Sequence, residues 1–382
     1  MRQVRQQLLN VALHYQTALL GWFHRMLTNP IATAASVLAV ITVLVVSVSL
    51  GLDVYGDRNF QINLISEMHG MIFDILILGI LMLWLNKMGE KRLETQKYIE
   101  EIDDFRRLDT IEAKQRIIGN IKRLNRRGLH ELDLRSCHLA QASLHEVNLA
   151  GANLFEINLA DAKLQGGNFH HATLITANLT NANLMGASLA EANLSGARLQ
   201  HANMWEAQLN KANLEGADLA HANLESVNCS EAVFSISVLS GANLTGANLS
   251  RTNLMGAILD GANLTGATLE EANLGDADLT EAVLENAEII SADLSNANLT
   301  GAHLVNANFS NSNLCGVNFT KADFQGAILS VSNLSSAILT GARNLTVEQF
   351  EEVLSLDNAI IDPELLEQIS QKYPHLIGQQ FA

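Results

Sequence analysis

From Leu134 to Leu339 every fifth residue is apolar, without one break in register, and the residue two positions earlier is nearly always alanine. Of the 42 central positions in this span, 34 are leucine; the other eight are Phe169, Met204, Cys229, Phe234, Ile289, Phe309, Phe319 and Phe324. A period of five matches neither the roughly 3.6-residue turn of an α-helix nor the alternation of a strand, so the chain has to turn a corner at each repeat. The pattern predicts a solenoid in which the central residue points inward and the small one, such as Ala142 or Ala152, fills a tight pocket beside the corner. The residue between them and the two after the centre are expected to face water and to vary freely. Of the 25 glycines, 14 occupy the fifth place, where positive φ carries no steric cost. The three prolines, Pro30, Pro363 and Pro374, all lie outside the repeats, as a ladder of backbone N–H groups requires.

Stacking at an interval of 20 residues makes sense of two outward columns at once. One reads His171, Glu191, Lys211, Glu231, Arg251, Glu271, an alternation of charge; the other reads Asn183, Asn203, Asn223, Asn243, Asn263, an amide ladder. Four sides per coil follow, about 4.8 Å between coils and about ten coils in all. With Ala-Asn-Leu-x-x units such as 177–181 and 212–216, residues 132–343 resemble the pentapeptide-repeat family. The resemblance implies an all-β solenoid, a right-handed square β-helix, with the handedness taken from the family alone. Leu132 and Ile157 are too large for the small pocket, and Gly167 and Ser237 underfill it.

Hydropathy divides the rest of the chain. Residues 1–30 carry an apolar stripe (Val4, Leu8, Val11, Tyr15, Leu19, Trp22, Met26) suited to an interfacial amphipathic helix. Residues 31–88 read as a two-helix transmembrane hairpin: Ile31 to Leu52 is uncharged, and a second apolar run, Met71 to Leu85, carries only Asp74 and extends between Ile65 and Met88. An acid inside a span is a candidate functional group, so Asp74 is the candidate intramembrane polar residue. Lys and Arg number three before the first span, one between the spans and twelve from Lys87 to Arg127. The positive-inside rule then places both termini and the repeats in the cytoplasm, at a bacterial inner membrane. Residues 89–130 read as a charged helical linker and N-terminal cap, with a helix from Ile111 to Leu124 over the open end of the first coil. Residues 131–343 are the β-helix. Residues 344–382 read as a helical cap and tail, with a helix of about ten residues starting at the Thr346-Val-Glu-Gln349 capping box and a short one at Asp362-Pro363.

Composition then narrows the chemistry. Three cysteines are too few for a disulfide scaffold, and no nucleophile, phosphate loop or dinucleotide motif is legible, so no enzyme, cofactor or metal site is expected. His201 and His221 share one outward column, but their neighbours Asn181 and Gly241 supply no strong third ligand. The net charge of −16 is uneven, with a basic N-terminal third and an acidic rod. Some family members inhibit type II topoisomerases by imitating DNA. However, a rod of about 50 Å would need on the order of 30 negatives along one face to copy B-DNA, and here the acids are dispersed, so no nucleic-acid partner is expected. The candidate interaction surface is Met185 with Trp205, and Ile236 with Val238 and Ile258, apolar residues on an Asn-rich wall. The reading is a membrane-tethered, non-enzymatic scaffold or protein-interaction module facing the cytoplasm, with an unknown protein partner and oligomerisation through the hairpin open. The alternatives are a topoisomerase-inhibiting DNA mimic and a channel or transporter built from oligomerised hairpins.

Overall fold

The computed structural model describes residues 58–377 and, before them, only residues 40, 43 and 47, all three helical. The expected interfacial helix of residues 1–30, nearly all of the first span and the last five residues lie outside the described residues. The chain divides into two compact units, Met1–Lys97 and Tyr98–Ala382.

The first described element, α1 (Arg58–Phe105), is a single helix of 48 residues. It runs without interruption through residue 88, where the readings of hairpin and helical linker meet. The apolar run passes into Lys87, Glu90, Lys91, Arg92, Leu93 and Glu94 without a proline, and such unbranched side chains keep a helix propagating. One stretch of it, within His69–Phe105, is long and apolar enough to cross a membrane by length and composition. Large side chains lie bare all round that stretch, among them Met71, Phe73, Leu78, Met82 and Trp84, the distribution of a helix with apolar surroundings on every side.

In the second unit the ladder runs in steps of 20, from Asp133 paired with Asn153 to Asp323 paired with Arg343, always parallel. The central column is buried throughout, and so is the small-residue column beside it. Corners close with a four-residue turn: the carbonyl of the central residue accepts from the N–H three residues on, as in Ala197 N–H to Leu194 O at 2.9 Å; at Ile289 the Ser312 hydroxyl takes that carbonyl instead. The third residue of that turn takes positive φ whether or not it is glycine, for example Gly196 (63°), Glu191 (58°) and Ile236 (51°). The coil therefore imposes the left-handed conformation, and glycine only adopts it more cheaply.

One five shows why the residue before the centre does not vary freely. Asn193 N–H donates to Ala172 O in the coil below (2.9 Å), Leu194 N–H to Asn213 O above (2.6 Å), Gly196 N–H to Glu215 O above (2.9 Å), and Ala197 N–H closes the turn. That leaves the N–H of Ser195, and the Asn193 side chain takes it, Oδ1 accepting at 3.1 Å. All five donors are matched. The same side-chain bond recurs at Asn153, Asn213, Asp218, Asn273 and Asn333. The Asn/Asp of the repeat is a half-buried turn element, which corrects the expectation of a wetted, interchangeable position.

The departures also find their reasons. A Cβ on Gly167 would lie 2.7 Å from a ring carbon of Phe169, so the bulky central residue occupies the pocket that the missing side chain vacates. Ser237, Ser312 and Ser332 are buried and spend their hydroxyls on the carbonyls of Phe234 (2.6 Å), Ile289 (2.5 Å) and Leu329 (2.7 Å). Ile157 is fully buried; nothing else in the structure accounts for it.

Both ends of the rod are closed. Helix α2 (Ile111–Asn125) buries Ile117, Ile121 and Leu124 as the sequence leads one to expect. Its last residue does more: Asn125 Nδ2 donates to Asn148 O (2.8 Å) and its Oδ1 accepts from Asn148 N (2.9 Å). One side-chain amide thus replaces the peptide of a coil that does not exist. Arg106 meets two further open carbonyls, Asp133 O and Arg135 O, both at 3.1 Å.

At the far end Phe309, Phe319 and Phe324 pack edge to face at 6.2 and 5.0 Å between ring centres. The expected ten-residue helix after Thr346 is instead one 3-10 turn, Val347–Phe350. The chain then returns to the ladder, with Ser355 pairing with Asn333 and Ile360 with Ile338. Asn358 repeats the corner conformation (φ 59°). A further stretch of coil, Leu-Ser-Leu-Asp-Asn-Ala-Ile-Ile (354–361), therefore competes successfully with helix for these residues, because the last regular coil offers it open donors and acceptors. Helix α3 (Pro363–Lys372) follows, with Pro at its first turn and Ile369 buried.

Candidate interaction surface

Stacking by 20 separates the candidate surface residues into two patches. Met185 and Trp205 follow central residues on one side of the coil, and both are just over one-third exposed (38% and 36%). Ile236, Val238 and Ile258 lie around the opposite half, where the bridge between Val238 and Ile258 sets them side by side on successive coils. Ile236 is the barest of them at 61%, Ile258 is exposed and Val238 half-buried. Met255, not singled out from sequence, is 47% exposed and precedes Gly256, the residue stacked on Ile236. The signal was available in the register: position 255 stands beside the column that contains 236 and 256.

This second patch carries two structural costs. Ile236 is β-branched and sits at φ 51°, a conformation costing of order 1–3 kcal/mol for such a residue. Val238 and Ile258 occupy the Asn position of the repeat and have no oxygen to offer the N–H two residues on. The patch is also framed by acids. Asp218 lies one coil below Val238 and Asp278 one coil above Ile258, paired through the same ladder; Glu215 and Asp276 are exposed nearby.

A family model described as pentapeptide repeats matches the chain in eight copies between residues 129 and 343. The chain belongs to the pentapeptide-repeat family. Its members form right-handed quadrilateral β-helices, and the ladder of 20 gives that fold its register here. Among solved pentapeptide-repeat structures, the chain is similar to HetL, described as involved in heterocyst differentiation regulation, from the cyanobacterium Nostoc sp. strain PCC 7120. Identity is 31%, over 63% of this chain and 93% of that one, with a TM-score of 0.28. It is also similar to QnrB1, described as a plasmid-mediated fluoroquinolone resistance protein, at 16% identity over 49% of this chain and 95% of that one, TM-score 0.33. A pentapeptide-repeat protein of the Arabidopsis thaliana thylakoid lumen matches at 28% identity over 28% of this chain and 66% of that one, TM-score 0.19. No curated protein matches.

Within this pentapeptide-repeat rod the charged column resolves into pairs. His171 Nδ1 lies 3.5 Å from Glu191 Oε2, Lys211 Nζ 3.7 Å from Glu231, and Arg251 Nε 2.8 Å from Glu271. The amide ladder forms at Asn223 to Asn203 and Asn243 to Asn223, both 3.2 Å. His201 and His221 stack face to face, 5.3 Å between centres and 12° apart. Cys137 and Cys229 are buried free thiols and Cys315 is half-buried; burial pushes the Cys137 thiol up to about 12. Asp133 titrates well below the usual carboxylate range, because Arg135 and then Arg106 donate to it. Asp74 is exposed on α1, amid the apolar stretch.

Proposed function

We propose that this pentapeptide-repeat chain is a membrane-tethered, non-enzymatic interaction scaffold, held at a bacterial inner membrane by the hairpin of residues 31–88, with its termini and rod in the cytoplasm. The anchor reading rests on the all-round apolar surface of α1 and the excess of Lys and Arg after residue 86. Asp74 is then a polar contact between hairpins in an oligomer. The docking surface is Ile236, Val238, Met255 and Ile258, and the observation that carries it is Ile236. An exposed β-branched residue in the left-handed region gains nothing from the fold, whereas Asn or Gly there would be cheaper. Met185 and Trp205 form a second, smaller contact on the other side.

The acids that frame the main patch suit a partner presenting an apolar anchor between basic residues, since complementary charge steers encounter and fixes register. The test is chemical crosslinking in intact membranes followed by capture of the full chain. Ile236→Asn combined with Ile258→Lys is expected to abolish a discrete crosslinked partner while the protein stays in the carbonate-resistant membrane fraction. Undiminished crosslinking would refute the docking surface, and release of the wild type by carbonate would refute the anchor.

A further inference from the structure

A different corner of the rod carries chemistry that the interaction reading does not use. His170 and His171 are consecutive, yet their rings lie on the same side of the wall, 4.0 Å between centres and tilted by 45°. The corner conformation causes this, because His171 sits at φ 56°, and the usual strand alternation of side chains is lost there. Glu191 stands one coil above His171 in the same column. One ligand atom from each of the three side chains lies within 4.8 Å of the others.

The orientation of the donors matters as much as their proximity. His170 Nδ1 is 2.9 Å from the carbonyl of Ala190; only the protonated nitrogen can make that bond, so the lone pair is left on Nε2. A backbone carbonyl fixing one ring nitrogen so that the other is free to ligate is the support that metal-binding histidines typically have. His171 Nδ1 and Glu191 Oε2 stand 3.5 Å apart, longer than a charge-assisted hydrogen bond and close to the roughly 3.3 Å edge that two donors span around a tetrahedral zinc ion. Lys211, the next residue up the column, turns to Glu231. Small residues surround the group, with Ala150 and Gly151 one coil below and Ala190 above His170. An ion there would keep at least one coordination position open to solvent.

We propose that His170, His171 and Glu191 bind a divalent transition-metal ion, the imidazole and carboxylate set favouring Zn2+, Ni2+ or Cu2+ over Mg2+ or Ca2+. The ion ties two successive coils together and presents its open position outward. The stacked pair His201 and His221 is the internal contrast. Their rings face each other flat, and the column beyond them offers Asn181, already donating to Asp161 at 3.1 Å, and Gly241.

The test is calorimetric titration of the full chain with ZnCl2 in detergent, after chelator treatment, alongside electron paramagnetic resonance of bound Cu2+. Saturable Zn2+ binding is expected, weakened at least about tenfold by His170→Ala, by His171→Ala and by Glu191→Gln, and unchanged in the double variant His201→Ala/His221→Ala. The Cu2+ spectrum should show two nitrogen ligands, falling to one in either single histidine variant. All three side chains are at least partly exposed, and circular dichroism should show the variants folded. Absence of saturable Zn2+ uptake, or uptake that survives the triad substitutions, would overturn the assignment.

Discussion

The middle of the rod and its two ends solve one problem in opposite ways. In the middle, the upper edge of each coil meets a near-copy of itself, so leucines, alanines and, wherever the repeat keeps it, the Asn turn satisfy the backbone donors by repetition. At the ends no copy exists, and single side chains stand in for it. Asn125 supplies both halves of a peptide to Asn148. Gln349 Nε2 donates to Phe324 O (3.0 Å) and Ala327 O (2.8 Å) while its Oε1 accepts from Thr346 N (2.8 Å). Regularity is cheap in information; termination is not.

The contrast sets an order of damage. Leu214→Arg buries an unpaired charge among fully buried neighbours and should cost about 3–5 kcal/mol, seen as loss of the main thermal transition by circular dichroism; an unchanged melting temperature would contradict the inward assignment. Ala217→Leu, in a pocket with no exposed surface, should cost about 1–3 kcal/mol by overpacking. At the ends, Asn125→Ala should cost about 1–2 kcal/mol and, in hydrogen exchange, loosen the first coil before the middle. Uniform loosening along the rod would mean that the cap is not local.

Smaller effects sharpen the role of the turn asparagine. Asn213→Asp keeps the acceptor for Glu215 N–H (3.0 Å) and should be nearly neutral, whereas Asn213→Ala should cost about 1 kcal/mol. If the two substitutions behave alike in chemical denaturation, the turn bond is of no consequence.

The smallest effect is pH-dependent. Arg135 and Arg106 depress the carboxyl of Asp133, so the folded state binds that proton less readily than the unfolded chain. Its stabilisation is therefore present above the unfolded value of about 3.9 and fades as pH falls below it. The stability gap between wild type and Asp133→Asn should be open at neutral pH and close on acidification.

Legibility in the sequence follows the same division. The inward columns, the interval of 20 and the covering helix over the first coil could be read because each follows a regular spacing of apolar and polar residues. The role of Asn193 and its equivalents could not, since a polar residue at a regular place looks the same whether it is wetted or bonded to its own turn. Val347–Phe350 was misread as the start of a helix because a capping box says how a turn begins, not that an open coil edge will claim the next residues. The candidate patch was legible in part: Ile236 and Ile258 stand out by hydrophobicity, but the cost at Ile236 appears only with its backbone angle. His170 escaped notice because consecutive residues on a strand point apart, and only the corner brings its ring beside His171.

Twenty residues per lap is the central claim, and disulfide trapping at the corners tests it most directly. In a Cys315→Ser background, Lys211→Cys is combined in turn with Ser226→Cys, Glu231→Cys or Ile236→Cys, and each protein is exposed to a mild oxidant. In-register neighbours about 4.8 Å apart lie within disulfide reach, so the 211/231 pair should crosslink nearly completely and the pairs spaced 15 and 25 residues apart should not. Efficient trapping of either of those, with 211/231 left reduced, would contradict the four-sided coil.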